Sequence, residues 1–262
     1  MKIISCVSLA GGQGKTTCSL FTARYLAHQN QKVLLIDADP QSSLTTFLRF
    51  EVDPEKPTIL EVLKREVETK EGIYPTEYDN LYLIPSDDAL DTVQDYLANT
   101  GTGALALQRR LKPVAKLFDY CLIDSPPQRS QITLAAIGAS HGLVIPVEAS
   151  VKGLQSAVRT LELIQDLKEE DEDFGGEIIG LIPFRDKWVG RSQTNESKKN
   201  IEKIQNLTQE WFGKDLVLPS ILESEKYKQG INKGLTLHEL NHSVLAYPIE
   251  FLISKIEELD NE

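Results

Sequence analysis

No stretch of the 262 residues is apolar for long enough to span a bilayer, and none approaches the ~18 residues such a helix needs. No signal-peptide pattern precedes the first apolar run, so a cytoplasmic protein is expected. Cysteine is scarce: Cys6, Cys18 and Cys121 all sit in apolar contexts and form no C-x-x-C pair. A disulfide framework is thereby excluded, and a reducing compartment suits the set. The four histidines, His28, His141, His238 and His242, lack metal-ligand spacing and read as surface or hydrogen-bonded residues. Repeats and low-complexity segments are absent. Positive charge is in deficit, with 28 Lys and Arg against 39 Asp and Glu and a net charge of −11, which argues at first against a nucleic-acid partner. With 41% apolar and 26% charged residues, residues 1–262 read as a single α/β domain.

What is present is concentrated first at Ser8–Thr17, S-L-A-G-G-Q-G-K-T-T. An apolar, β-branched run precedes it, and a stretch with Leu20, Ala23 and Ala27 at helical spacing follows. Strand, glycine loop, Gly-Lys-Thr and helix together make a phosphate cradle. Gly11, Gly12 and Gly14 let successive N–H groups converge on phosphate oxygens, with the backbone N–H groups of Gln13 and Thr17 in the same loop. Lys15 supplies a point charge for the β- and γ-phosphates, and Thr16 a hydroxyl for Mg²⁺.

Further apolar runs at Lys32–Ile36, Leu81–Ile84, Tyr120–Ile123, Leu143–Val147 and Ile178–Ile182 alternate with helical patterns at Gln128–Ala139, Leu154–Leu167 and Glu196–Trp211. Such alternation predicts a mostly parallel sheet covered on both faces, with ligands at the carboxyl ends of its strands. The charged excursion Phe50–Asn80 holds one predicted helix, Thr58–Glu66. Two strand-end motifs carry carboxylates: Asp37-Ala38-Asp39-Pro40-Gln41, and Asp124 followed by Ser125-Pro126-Pro127. The first pair could cap a helix, or beside a phosphate loop could serve the metal and the attacking water. Asp124 closes a Walker B pattern.

The loop departs from G-x-x-x-x-G-K-[ST], because Leu9 holds the first glycine position and two adjacent glycines lie inside it. It resembles the deviant Walker A loop, K-G-G-x-G-K-[ST], of the ParA/MinD family of ATPases. The resemblance implies a three-layer P-loop NTPase fold, a mostly parallel twisted sheet with helices on both faces. It also implies ATP and Mg²⁺ as cofactors, hydrolysis of ATP, and an ATP-dependent homodimer. Asp39 then positions water and contributes near the metal, Asp37 lies near the metal and the partner-contacting loop, and Asp124 holds Mg²⁺ with Thr16. I-P-F-R-D at 182–186 stands where the family contacts adenine, placing Pro183 and Phe184 there, and L-P-S-I-L at 218–222 places Pro219 in the loop over the base.

Where the family carries a signature lysine that reaches the partner's nucleotide, this chain has Ala10. That loss resembles the McdA-type branch, which positions carboxysomes. The family's ParA-type members bind nucleoid DNA non-specifically and answer to an activating adaptor of ParB or McdB type. Arg185 to Lys233 holds ten basic residues against seven acidic ones, +3 against −14 for the rest, and is the candidate DNA-binding cluster or else a solvated helical face. Plasmid or chromosome partition, and a metabolic ATP-dependent ligase of dethiobiotin-synthetase type, stand as alternatives. The last helix has an apolar stripe (Ile249, Leu252, Ile253, Ile256, Leu259). Its polar face is acidic (Glu250, Glu257, Glu258, Asp260, Glu262), so it is expected to pack on the sheet and not on a membrane. Trp211 is expected in the core, while Trp188, in a charged loop, is left open. Lys152, the only Lys or Arg between Arg129 and Arg159, follows the strand Leu143–Val147 beside Gly153 and is the expected replacement for the missing catalytic lysine.

Overall fold

The computed structural model describes residues 1–172 and 174–259. In chain order its first half runs β1 (Lys2–Cys6), α1 (Lys15–His28), β2 (Val33–Asp37), α2 (Ser43–Phe47), α3 (Ile59–Lys64), β3 (Tyr74–Pro75), β4 (Leu81–Ile84), α4 (Val93–Asn99), α5 (Ala106–Leu111) and β5 (Tyr120–Asp124). The second half runs α6 (Gln131–Ala139), β6 (Gly142–Glu148), α7 (Val151–Glu170), β7 (Glu177–Asp186), β8 (Trp188–Val189), β9 (Ser192–Gln193), α8 (Asn195–Phe212), β10 (Ile221–Leu222), α9 (Glu225–Lys233) and α10 (Ser243–Glu258). Eight strands form one sheet in the order β10-β7-β6-β1-β5-β2-β4-β3, parallel except for β3, while β8 and β9 form a separate hairpin. The parallel sheet read from the alternation is the one observed.

Continuous apolar strands are buried on both faces, and β2 (V-L-L-I-D) is buried at every position. Alternate residues of one strand therefore serve different cores. Ile4 and Cys6 of β1 join α1 and α10, Ile3 joins α3–α6, and Val7, just past the strand, joins the core of α7 and α8. Helix α1 is buried on almost all sides because α10 covers the face the sheet leaves. Phe21 at its centre is fully buried and meets Tyr227 of α9 edge-on, ring centroids 5.5 Å apart.

Helix termini follow local chemistry. Ser150 accepts from the Gly153 N–H at 3.1 Å, so α7 starts before its apolar periodicity does. Thr58 and Glu61 form a capping box that opens α3, which matches the helix expected in the excursion, and that excursion also supplies the edge strand β3, ending in Pro75. In α10, Ile249, Leu252, Ile253 and Ile256 face inward, and Lys2 Nζ donates to the carbonyls of Ile256 (3.2 Å) and Glu257 (2.8 Å). The helix thus turns its apolar stripe into the core as expected, but it packs chiefly on α1 and the edge strand β10; Asp260 and Glu262 lie outside the described residues. Trp211 packs against the α7–α8 core, His141 Nδ1 accepts from the Ile3 N–H, and His238 lies within hydrogen-bonding distance of Ser243 and Glu250.

Truncating the aromatic that joins α1 to the helices behind it opens a cavity that little can fill. Phe21→Ala is expected to lower the unfolding free energy by about 3–5 kcal/mol with an unchanged denaturant slope, measured by urea titration.

Candidate nucleotide-binding site

Strand register assembles the site. β1 pairs with β5 so that Cys6 faces Asp124, and β2 pairs with β5 so that Asp37 faces Asp124. The glycine loop, the D-A-D-P-Q segment and the D-S-P-P turn therefore leave the sheet side by side at its carboxyl edge, at the point where β1 separates β5 from β6. The loop begins after β1, and its last glycine, Gly14, caps α1 at φ 100°, a left-handed conformation. A Cβ on Gly14 would also lie 2.6 Å from the Phe184 ring, so Phe184 lies directly against the phosphate loop. Gly11 and Gly12 are exposed at the turn of the loop, and Thr16 and Thr17 follow in the first turn of α1, half-buried.

Lys15 is 7% exposed, and its Nζ donates to the carbonyls of Ser8 and Ala10, both at 3.3 Å. Burial lowers its pKa, opposed by the charges of Asp124 and Asp39. Gln13 is buried as well. Its Oε1 accepts from the Glu148 N–H at 2.9 Å, tying the loop to the end of β6, so its part in the cradle falls to its backbone. Ala10, where the family resemblance expected a lysine, is buried and its carbonyl is engaged by Lys15.

The carboxylates divide sharply. Asp37 accepts from the Thr45 N–H (2.8 Å) and hydroxyl (2.7 Å) and from the Asp39 N–H (3.2 Å), so both its oxygens are held within the chain. Burial still pushes its pKa up to about 6. Asp39 is half-buried and raised by burial, with one oxygen accepting from the Gln41 N–H at 3.0 Å. Asp124 is 1% exposed, and neither of its oxygens has a hydrogen-bond partner among the described residues. Burial first, then the neighbouring Asp37 charge, raises it to about 8, against the opposing influence of the Thr16 hydroxyl and Lys15. An orphaned buried carboxylate beside a threonine hydroxyl and a second acid is a hard-oxygen donor set that a divalent cation would satisfy. Thr16, Asp124 and Asp39 are the residues that could hold Mg²⁺.

Pro183 and Phe184 lie at the carboxyl half of β7, and Phe184 registers with Ile221 of β10, two residues beyond Pro219. Pro219 thus lies just before, in sequence, the strand paired with the end of β7 that carries Pro183 and Phe184. Lys152 is exposed in the first turn of α7, and the loop that precedes it is the one hydrogen-bonded to Gln13. A Cβ on Gly153 would collide with the Glu148 carbonyl, so the glycine is needed for this close approach. The basic segment 185–233 does not form one patch: Lys198 and Lys199 open α8 near the carboxyl edge, whereas Lys214, past the other end of that helix, lines a groove with Lys168 and Lys255. Lys226 and Lys228 belong to α9.

Sequence reasoning passed over Thr45 and Glu148. Thr45 anchors Asp37 from eight residues away, and Glu148 holds Ser150 (2.9 Å) and Arg185 (3.4 Å) with its carboxylate. The polar residue ending an otherwise apolar strand was the available signal for Glu148. No spacing rule singles out Thr45.

Asp124 binds a proton more tightly folded than unfolded, where its pKa is near 3.8, so the nucleotide-free protein loses stability as pH rises through about 8. Asp124→Asn should therefore melt higher than the parent at about pH 8, differ less at about pH 5, and lose Mg²⁺-dependent ATP turnover. Thermal melts at both pH values, with a turnover assay, check this.

The family model described as AAA domain matches residues 1–173. Maintenance of carboxysome distribution protein A from Synechococcus elongatus is 48% identical over 256 residues, 98% of this chain and 99% of the relative. A Cyanothece McdA variant solved in complex with ATP superposes with a TM-score of 0.92 at 47% identity, covering 100% of this chain and 98% of the other. The chromosome partitioning protein ParA of Myxococcus xanthus is 32% identical over 187 residues, 70% of this chain and 66% of that one. Similarity that spans both chains end to end, on a strand order and phosphate loop of this kind, leaves one conclusion. The chain belongs to the ParA/MinD family of P-loop ATPases, in its McdA branch.

Proposed function

We propose that the protein is an ATP-dependent homodimer that binds duplex DNA without sequence preference. On this reading it hydrolyses ATP with Mg²⁺ to position a cargo, a carboxysome, on the nucleoid in the cytoplasm, and an adaptor of McdB or ParB type stimulates it. The observation that carries this reading is the near full-length similarity to a carboxysome distribution protein. Backbone N–H groups of Gly11 to Thr17 cradle the phosphates, and Lys15 leaves the Ser8 and Ala10 carbonyls to meet the β- and γ-phosphates. Thr16 and Asp124, with Asp39 beside them, would hold Mg²⁺, which would supply charge neutralisation for phosphoryl transfer. Asp39, the more accessible of the two carboxylates on its loop, orients the attacking water. Pro183, Phe184 and Pro219 border the base.

A sandwich of two such sites brings two polyanions together, and Ala10 supplies no charge to offset them. Lys152 is exposed, makes no ion pair or hydrogen bond through its side chain among the described residues, and stands at a helix N-terminus where a cation opposes the helix dipole. An anion across the interface resolves that conflict, so Lys152 reaches the partner's phosphates.

Retention of a duplex of arbitrary sequence, compared with ATP, with ADP and without nucleotide, tests the functional reading. Retention with ATP alone, falling steeply with salt and lost when Lys198, Lys199 and Lys203 are neutralised together, is expected. Equal retention with ADP, or steady turnover of a small organic substrate with no retention at all, overturns it in favour of a metabolic enzyme. For the site, Asp39→Ala should keep ATP bound while turnover stops. Lys152→Ala should stay folded yet lose ATP-driven dimerisation and stimulated hydrolysis, as read by sedimentation and phosphate release. A Lys152 variant that dimerises and turns over like the parent removes that lysine from the interface.

A further inference from the structure

A groove of about 940 Å³ lies at the amino edge of the sheet, at the other end of its strands from the nucleotide crevice. The last turns of α7, the start of β7, the segment 214–218 and the last turns of α10 line it. Its floor is backbone packed on backbone. A Cβ on Gly176 would collide with the His141 carbonyl, and one on Gly138 with the Ala104 carbonyl. Ile178, Ile179, Phe251 and Leu259 are half-buried, with one side against the cores and the other toward the groove. The outer edge of β7 is also open here. Leu181 donates to the Leu216 carbonyl at 2.9 Å and accepts from the Leu218 N–H at 2.8 Å, and β10 pairs farther along with Phe184 and Asp186. No strand among the described residues pairs with Glu177 to Gly180 on that side. An open sheet edge among apolar side chains is a surface that proteins ordinarily cover.

The uncommitted charge around this groove is mostly positive. Lys255 pairs with Glu258 at 2.7 Å, and Asp215 accepts from the Val217 N–H at 2.9 Å and from Gln205 Nε2 at 3.1 Å. Glu172 and Glu177 are the lining acids that remain. Lys168 and Lys214 make no ion pair or side-chain hydrogen bond among the described residues. His141 Nδ1 accepts from the Ile3 N–H at 2.9 Å and burial lowers its pKa, so the neutral ring carries its proton on Nε2. Gln108 of α5 forms the near rim. Lys112 stands one helical turn beyond it, and Arg109, Lys112 and Lys116 recur at helical spacing. From Tyr96 to Phe118 the chain has four cations and no acid, although its net charge is −11. Leu107, Leu111, Val114 and Phe118 hold the opposite face in the core. The three cations are therefore exposed, and among them only Arg109 makes a side-chain hydrogen bond, to the Thr102 hydroxyl at 2.9 Å. Like charges at this spacing destabilise the helix that carries them, a conflict that an anion from outside the chain resolves.

We propose that the groove, with the cations of α5 at its rim, is the docking surface for an acidic segment of a protein partner that also carries large apolar side chains. Carboxylates of the segment pair with Lys112, Lys116, Lys168 and Lys214, and an aromatic or aliphatic side chain enters beside Phe251 and Leu259. An acidic chain is repelled by most of this acidic protein's surface and so is directed here. Duplex DNA offers phosphates but no apolar side chain to fill the groove. A two-fold contact with a second copy would set the row of cations against itself. The seven residues of β6 span about 23 Å, from Gly142 at the groove to Glu148 beside the phosphate loop. A partner docked at this edge therefore leaves the nucleotide in place, and the proposal stands whether or not the chain binds DNA.

The test titrates the full-length chain, with and without ATP, against labelled polyglutamate, a labelled glutamate–tyrosine copolymer and a short duplex. The copolymer should bind about tenfold more tightly than polyglutamate, and equally with and without ATP. Lys112→Glu combined with Lys116→Glu, both at exposed positions, should weaken the two acidic probes about tenfold, with a larger loss at low salt than at high. Phe251→Ala should weaken the copolymer and leave polyglutamate unchanged. Leu259→Ala, on the same wall, gives the same reading if Phe251→Ala fails to fold. Absence of copolymer binding, or equal binding by the parent and the Lys112–Lys116 variant, overturns the proposal. Loss of the copolymer on Lys198→Glu with Lys199→Glu, and not on the α5 changes, places the polyanion on α8 and overturns it too. A duplex released by the Lys112–Lys116 variant while the copolymer stays bound assigns the row to nucleic acid. ATP-independent self-association of the parent, abolished in that variant as read by sedimentation, assigns the row to contact between copies. Either of these last results also overturns the proposal.

Discussion

Everything at the site depends on the pairing of β1 with a parallel neighbour on each side. A slip of one residue would exchange Ile4 and Cys6 with Ile3 and Ser5 between cores that differ in shape. Ser5 adds a polar lock: its hydroxyl donates to the Ala136 carbonyl at 3.0 Å and accepts from Ser140 at 2.6 Å, so a displaced register would strand buried polar groups. With the register held, Cys6, Asp37 and Asp124 end in one line and three loops of unrelated sequence share a crevice. The chemistry is local, but its assembly is a property of the sheet.

The cost of that assembly is electrostatic. Lys15, Asp37 and Asp124 are all withdrawn from water, and burial moves each toward its neutral form. Asp37 is compensated inside the chain by Thr45 and the Asp39 N–H, and so behaves as a structural anchor for its loop. Asp124 receives no such compensation, and its two orphaned oxygens leave the nucleotide-free site short of a positive partner. A site incomplete in this way binds a cation more strongly than a self-satisfied one would, at the expense of the empty fold's stability.

Around this centre the carboxyl edge is built from contacts that tie loops to one another. Gln13 joins the phosphate loop to the end of β6, Glu148 joins that end to Ser150 and Arg185, and Phe184 lies over Gly14. A change in the phosphate loop is therefore transmitted through packed and hydrogen-bonded neighbours to the start of α7 and the base of the β8–β9 hairpin. Both carry exposed apolar side chains, Val151 beside Lys152 and Trp188 beside Val189.

The sequence by itself determined the phosphate loop, the strand-end carboxylates and the alternating α/β plan. Glycine tolerance of unusual backbone, apolar continuity and helical periodicity are all encoded within a few residues. It also determined that α10 faces inward, since the apolar stripe from Ile249 to Ile256 is backed by acidic residues, which suits packing on the protein core and not on an anionic membrane. Tertiary structure alone decided what depends on distant partners: Thr45 on Asp37, Gln13 on Glu148, the Phe184 ring against Gly14. It also divided the basic segment, because a helix of 18 residues spans about 27 Å and puts Lys198 and Lys214 at opposite ends of α8. Charge counted along a chain is one-dimensional, whereas a binding surface is set by which ends of which elements meet, and only the sheet order decides that.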